Sequence, residues 1–103
     1  MSKTSVFVKL KANPGKGGDV LAALEVALPA ALDEPGTELY TFHRDKGDAD
    51  TVWAFELYAD DDAFAAHSAS EAVAALFAEV GGLLAEPPML VVGEYVAGKG
   101  VAP

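Results

Sequence analysis

The sequence contains no cysteine, only one tryptophan, two histidines and just seven basic residues. Without cysteine there can be no disulfide, no thiolate nucleophile and no cysteine-ligated metal. Seven bases against 16 acids leave a formal charge of −9. A field of that sign repels nucleic acid and anionic lipid heads, so neither is expected as a partner. No stretch approaches the roughly 20 consecutive apolar residues that span a bilayer. The opening segment MSKTSVFVKLKA has a short apolar run broken by lysine and does not read as a signal peptide. The cytoplasm is therefore the expected location. Several familiar patterns are also missing. GKGG lacks the spacing of a phosphate loop, and no serine sits in a GxSxG elbow. Asp45, Asp48 and Asp50 miss the calcium-loop pattern, and His43 and His67 lie far apart in sequence. No metal site is expected.

What is present is a chain of 103 residues, 51% of them apolar. That length reads as one domain over 1–103. A chain of this size buries roughly 65% of its unfolded surface, enough for a core without staples. Its high apolar content suggests a second hydrophobic surface, which a homo-oligomer would hide.

Val6, Val8 and Leu10 alternate with Phe7, Lys9 and Lys11, the period of a strand. NPGKGG, 13–18, is a turn. From Asp19 onward Leu21, Leu24 and Leu28 share one helical stripe, and Pro29 predicts a kink or an end near Leu28. TELYTFHR, 37–44, and TVWAFELY, 51–58, read as two strands of a hairpin joined by the polar loop DKGDAD. Asp60, Asp61 and Asp62 suit the positive end of a short helix running through Phe64 to His67. Ser68 and Glu71 have capping-box spacing and predict a further helix, with Val73, Leu76, Phe77, Val80 and Leu84 on one stripe. Gly81 and Gly82 weaken its end. MLVVGEYV, 89–96, is a last strand, followed by a loose tail over 97–103. The order β-α-β-β-α-β predicts an α+β, ferredoxin-like split βαβ fold, an antiparallel sheet with helices on one face.

If Arg44 and Thr51 pair across the loop, His43 faces Val52, Thr41 faces Ala54 and Leu39 faces Glu56. One sheet face then carries Tyr40, Phe42, Trp53, Phe55 and Leu57, strongly aromatic and expected as a dimer interface. Burying five such side chains is worth on the order of 10 kcal/mol before association costs. The other face carries Thr41, His43, Glu56 and Tyr58 among small residues, and is expected to form a pocket beneath the helices. A one-residue slip in pairing would scramble this assignment.

PGK at 14–16, EPG at 34–36 and FELYADDDAFAAH at 55–67, in this order around an aromatic-rich strand, resemble the antibiotic biosynthesis monooxygenase superfamily, which includes quinol monooxygenases. In that family the third strand typically ends in glutamate, any residue and tryptophan, followed by acids, an alanine and a histidine. Glu56, Tyr58, Asp60 to Asp62, Ala63 and His67 stand at those positions, with Tyr58 in place of the tryptophan. Phe64 replaces a tyrosine seen in some members. The resemblance implies a ferredoxin-like homodimer with two sheets face to face, a dimeric α/β-barrel-like assembly. It also implies oxidation of a small aromatic quinol, phenol or anthrone by O2 with no cofactor. The haem-degrading members carry a later helix histidine that would fall near 74–77, where this chain has none.

His43 and His67 are the candidate catalytic bases, since histidine exchanges protons near neutral pH. Each also has a purely structural reading: His43 as a solvated strand end, His67 as a helix-end side chain bonded to a neighbouring element. Glu56, Tyr58, Thr41, Phe64 and Phe77 are candidate substrate contacts. Buried glutamate must be paired or protonated, and Glu56 equally suits a structural partner. Phe64 and Phe77 equally suit plain core. Two other functions use the same scaffold: an isomerase or cyclase that needs a base but no O2, and a non-catalytic dimeric ligand-binding protein.

Overall fold

The computed structural model describes residues 2–102; the last residue of the expected tail and the initial methionine of the opening segment lie outside this range. The elements are β1 (Thr4–Lys11), α1 (Gly17–Leu32), β2 (Thr37–Arg44), β3 (Thr51–Tyr58), α2 (Asp61–Ser68), α3 (Glu71–Val80), a 3-10 turn (Gly81–Leu83) and β4 (Met89–Glu94). The strands form one antiparallel sheet in the order β2-β3-β1-β4. This is the ferredoxin-like α+β arrangement expected from the element order. Among the described residues no helix is long and apolar enough to cross a membrane.

The core follows from strand period. Val6, Val8 and Leu10 of β1 alternate inward and align with Glu56, Ala54 and Val52 of β3. Against them pack Val20 and Leu24 of α1 and Leu76 and Val80 of α3, all buried. The buried stripe of α1 is thus Val20, Leu24 and Ala31, with Leu21 and Leu28 at its edge. Helix α1 does not stop at Leu28: it runs through Pro29 to Leu32. Pro29 removes one N–H from the ladder, but Pro29 and Glu25, one turn earlier, are both exposed. The carbonyl left without a donor is therefore open to water. The cap of α3 also differs from expectation. Ser70, not Ser68, is the N-cap, its Oγ accepting from Val73 N at 3.3 Å. Strand β4 ends at Glu94, two residues short of the expected 96.

The hairpin register differs by one residue from that expected. Arg44 pairs with Val52, His43 with Trp53, Thr41 with Phe55 and Tyr40 with Glu56. The reason is that Thr51 closes the loop instead of starting the β2 ladder. Its carbonyl accepts from Asp45 N at 2.9 Å and its N–H donates to Asp48 O at 3.0 Å. Its hydroxyl donates to Asp48 Oδ2 at 2.8 Å. Because side chains alternate, one residue inverts β2 from Leu39 to Arg44, and a bulge between Thr37 and Leu39 returns Thr37 to its expected partner Tyr58. Tyr40 and Phe42, expected at the dimer interface, lie beneath the helices beside Glu56 and Ala54. Thr41 and His43, expected in the pocket, lie on the helix-free face beside Phe55 and Trp53. Phe7, Met89 and Val91 share that face through their pairings with Phe55 and Lys9. They are each about half exposed, at 47%, 48% and 52%. Trp53, Phe55 and Leu57 do fall on the helix-free side, and Leu57 is buried there.

Candidate active site

The site lies where β2 and β3 meet α2 and α3. Glu56 and Tyr58, two apart on β3, both point toward the helices, and Tyr40 stands opposite Glu56 on β2. Helix α2 begins where the acidic run meets the positive helix end. Asp60 Oδ1 accepts from Ala63 N at 2.8 Å, and Thr4 donates its hydroxyl to Asp61. The acids are thus accounted for by helix initiation. Gly36 lets α2 sit close: a Cβ there would lie 2.5 Å from the Cβ of Ala63. This docking brings Phe64 and His67, three apart on α2, onto the sheet.

His67 is 7% exposed. Its Nδ1 is 2.7 Å from Glu34 Oε1, and Thr37 Oγ1 donates to the same oxygen at 2.8 Å. A neutral imidazole that donates an Nδ1 proton to Glu34 carries its lone pair on Nε2. The imidazole is flanked by aromatic rings, edge-on to Tyr40 at 5.0 Å and tilted against Tyr58 at 5.3 Å. Tyr58 also meets Phe64 at 5.3 Å and donates its hydroxyl to Glu56 Oε1.

Burial dominates the electrostatics. It raises the Glu56 carboxyl above the usual carboxylate range, and the nearby Glu34 charge adds to this. The Tyr58 hydrogen bond opposes it without reversing it, as does His67 whenever its ring is protonated. Burial likewise raises the Tyr40 phenol, assisted by Glu56 and Glu34. The Tyr58 phenol rises from burial and from the hydrogen bond to Glu56. Both tyrosines therefore remain hydrogen-bond donors across the physiological range, facing a carboxylate that is readier than usual to take a proton.

Tyr40, Glu56, Phe64 and His67 line a cavity of about 60 Å3 together with Leu76, Phe77, Val80 and Leu90. Of the residues expected from sequence, His67, Glu56, Phe64 and Phe77 meet at this cavity. Tyr58 is fully buried behind it, bonded to Glu56. Thr41 and His43 are on the opposite sheet face, where His43 Nε2 contacts Thr41 Oγ1 at 2.9 Å. Glu34 and Tyr40 were not anticipated. The signal for Tyr40 was the hairpin register. Glu34 lies in the EPG turn, whose closeness to His67 nothing in the linear spacing conveys. Among the described residues no three His, Asp or Glu side chains group as metal ligands.

Residues 4–79 match the antibiotic biosynthesis monooxygenase family. The chain belongs to that family. A protein of unknown function from Nitrosomonas europaea has 33% identity to it, with coverage of 100% of this chain and 98% of the other and a TM-score of 0.86. A Mycobacterium tuberculosis protein has the same fold at 21% identity, covering 95% and 99% of the two chains, with a TM-score of 0.87. A solved antibiotic biosynthesis monooxygenase superposes with a TM-score of 0.83 at 19% identity, over 91% of this chain and 99% of the other. No curated protein matches the sequence. In this antibiotic biosynthesis monooxygenase family member, Glu56 and His67 thus occupy the inner wall of the cavity, one from the sheet and one from a helix.

Proposed function

We propose that the protein is a cofactor-independent monooxygenase that oxidises an aromatic quinol, phenol or anthrone with O2. The observation that carries this reading is a buried histidine oriented by a carboxylate on the wall of an apolar, aromatic-flanked cavity. Glu34 fixes the Nδ1 proton and leaves Nε2 of His67 as the proton acceptor. Deprotonating the substrate hydroxyl, or the methylene of an anthrone, raises its electron density until it reduces O2 directly. For an anthrone the ring CH2 becomes C=O: one oxygen atom enters the carbonyl and the other leaves as water. The substrate's own C–H bonds supply all the electrons. Tyr40 and Glu56 hold the substrate oxygen, and the apolar wall excludes bulk water.

We assign the helix-free face, with Phe7, Trp53, Phe55, Met89 and Val91, to a second copy of the chain packed sheet to sheet. Apolar side chains dominate this face, and exposing them together is unfavourable.

The test is O2 consumption with menadiol and anthrone, run aerobically and anaerobically beside a His67→Ala variant. Uptake that depends on His67 supports the proposal. Turnover without O2 would assign an isomerase or cyclase instead. No turnover of either compound would leave a binding protein and overturn the enzymatic reading.

A further inference from the structure

The cavity at His67 is too small for the class of substrate proposed above. Roughly 150 Å3 of apolar space accepts a benzene molecule, against about 60 Å3 here. A ring can enter only if a wall moves. Two large apolar side chains of the cavity lining are about half exposed, Leu90 on β4 and Phe77 on α3, and of these two Phe77 also borders a second volume. It lines the inner cavity and also an outer groove of about 420 Å3 that runs past Leu84 to Pro87 and Pro88. Val80 lines both volumes as well, but it is fully buried, whereas Phe77 is 46% exposed. Phe77 therefore stands between a narrow, polar-ended chamber and a wider, more open apolar trough.

The chain just after it supports motion. Gly81 accepts the end of α3, its N–H bonding to Phe77 O, and Gly82 follows in the 3-10 turn. Neither glycine has a positive φ, and a Cβ on either would touch nothing. Sterics do not demand glycine at these positions. What two consecutive glycines do supply is a backbone that bends easily, one turn beyond Phe77.

We infer that Phe77 is the gate and size filter of the site, selecting from the aromatics proposed above a ligand of two or more fused rings. Its oxygenated ring occupies the inner chamber at His67 and Glu56. Its remaining rings displace Phe77 and lie in the outer groove against Pro87 and Pro88. Single-ring phenols gain no contact with the groove and are poor ligands. This rests on the cavity being the substrate site, but it is tested by binding, without reference to oxidation.

The probes are phenol, menadione and 1,8-dihydroxyanthraquinone, with affinity from calorimetry and association rate from stopped-flow fluorescence. Affinity should rise with ring number for the wild type. Phe77→Ala should speed association of the three-ring probe by about tenfold, and Phe77→Trp should slow it by a similar factor. The Gly81→Ala/Gly82→Ala variant should slow association of the two larger probes while melting no lower than wild type. Phe77→Leu, together with thermal unfolding of each variant, separates gating from misfolding. Val26→Asp, in the separate groove between α1 and α3, should change nothing. Rates and affinities within about twofold of wild type across all Phe77 variants would overturn the inference. So would a lack of binding by wild type and Phe77→Ala alike, or an effect of Val26→Asp without an effect at Phe77. A loss of O2 uptake with size-selective, Phe77-dependent binding intact would remove the enzymatic reading and leave the gate standing.

Discussion

Glu34 Oε1 lies 2.7 Å from Nδ1 of His67, joining the α1–β2 turn to α2 across 33 residues of sequence. The same oxygen accepts from Thr37, so the carboxylate is itself held. Such an arrangement orients an imidazole and selects its tautomer, the role a third group plays in activated base pairs generally. Removing the base should lower kcat by about 100-fold or more, within the range general bases contribute. His67→Gln is expected to do so. Glu34→Gln should lower kcat less, because the imidazole persists but its orientation loosens. Steady-state O2 consumption with menadiol checks both, and a Glu34→Gln enzyme weaker than His67→Gln would contradict the ordering.

Tyr58 donates to a buried carboxylate, so Tyr58→Phe leaves Glu56 Oε1 without its donor. An unsatisfied buried acceptor costs about 1–3 kcal/mol. For a domain of this size each kcal/mol lowers Tm by roughly 4–8 °C. Calorimetric unfolding should show a fall of that order. The Tyr58→Phe/Glu56→Gln double variant should recover part of it, because the acceptor left behind is then neutral.

Glu56 has its carboxyl raised by burial, so the folded protein holds that proton at pH values where the unfolded chain has lost it. Stability from this group is complete below the ordinary carboxylate range and declines as pH rises through the raised value. Glu56→Gln keeps an acceptor for Tyr58 and removes the ionisation. Its Tm relative to wild type should therefore be lowest in acid and climb as pH increases toward neutrality. A difference that is flat with pH would refute the assignment of the shift to folding.

Trp53 lies on the helix-free face, with its Nε1 donating to Asp45 at 2.9 Å and Lys9 over its ring at 5.8 Å. A carboxylate at this position would be buried in a sheet-to-sheet dimer. Trp53→Asp should give monomer or insoluble protein by sedimentation velocity. An undisturbed dimer would move the interface elsewhere.

Element order, the limits of β2 and β3 and the family were legible because they rest on period, composition and motif order. TELYTFHR and TVWAFELY coincide with β2 and β3 in full. The faces of β2 were not legible. They depend on whether Thr51 joins the ladder or closes the loop, a choice made by three hydrogen bonds around Asp45 and Asp48 that leave no mark on hydrophobic spacing. Hence Tyr40, a wall of the cavity, looked like an interface residue, and His43 looked catalytic. Proline at 29 misled for a different reason: its cost depends on whether the freed carbonyl meets water, which is a matter of burial and not of sequence. Glu34 was invisible because its significance is entirely tertiary.

The connection that Thr51 closes also fixes which way an edge strand faces. β2 is an edge strand, held on one side only, by β3. A shift of one residue in its pairing with β3 would turn over the strand from Leu39 to Arg44. Tyr40 and Phe42 would leave the chamber and Thr41 and His43 would enter. Pairing register, and not composition alone, thus decides whether this edge strand turns its aromatic or its hydrophilic side chains toward the chamber.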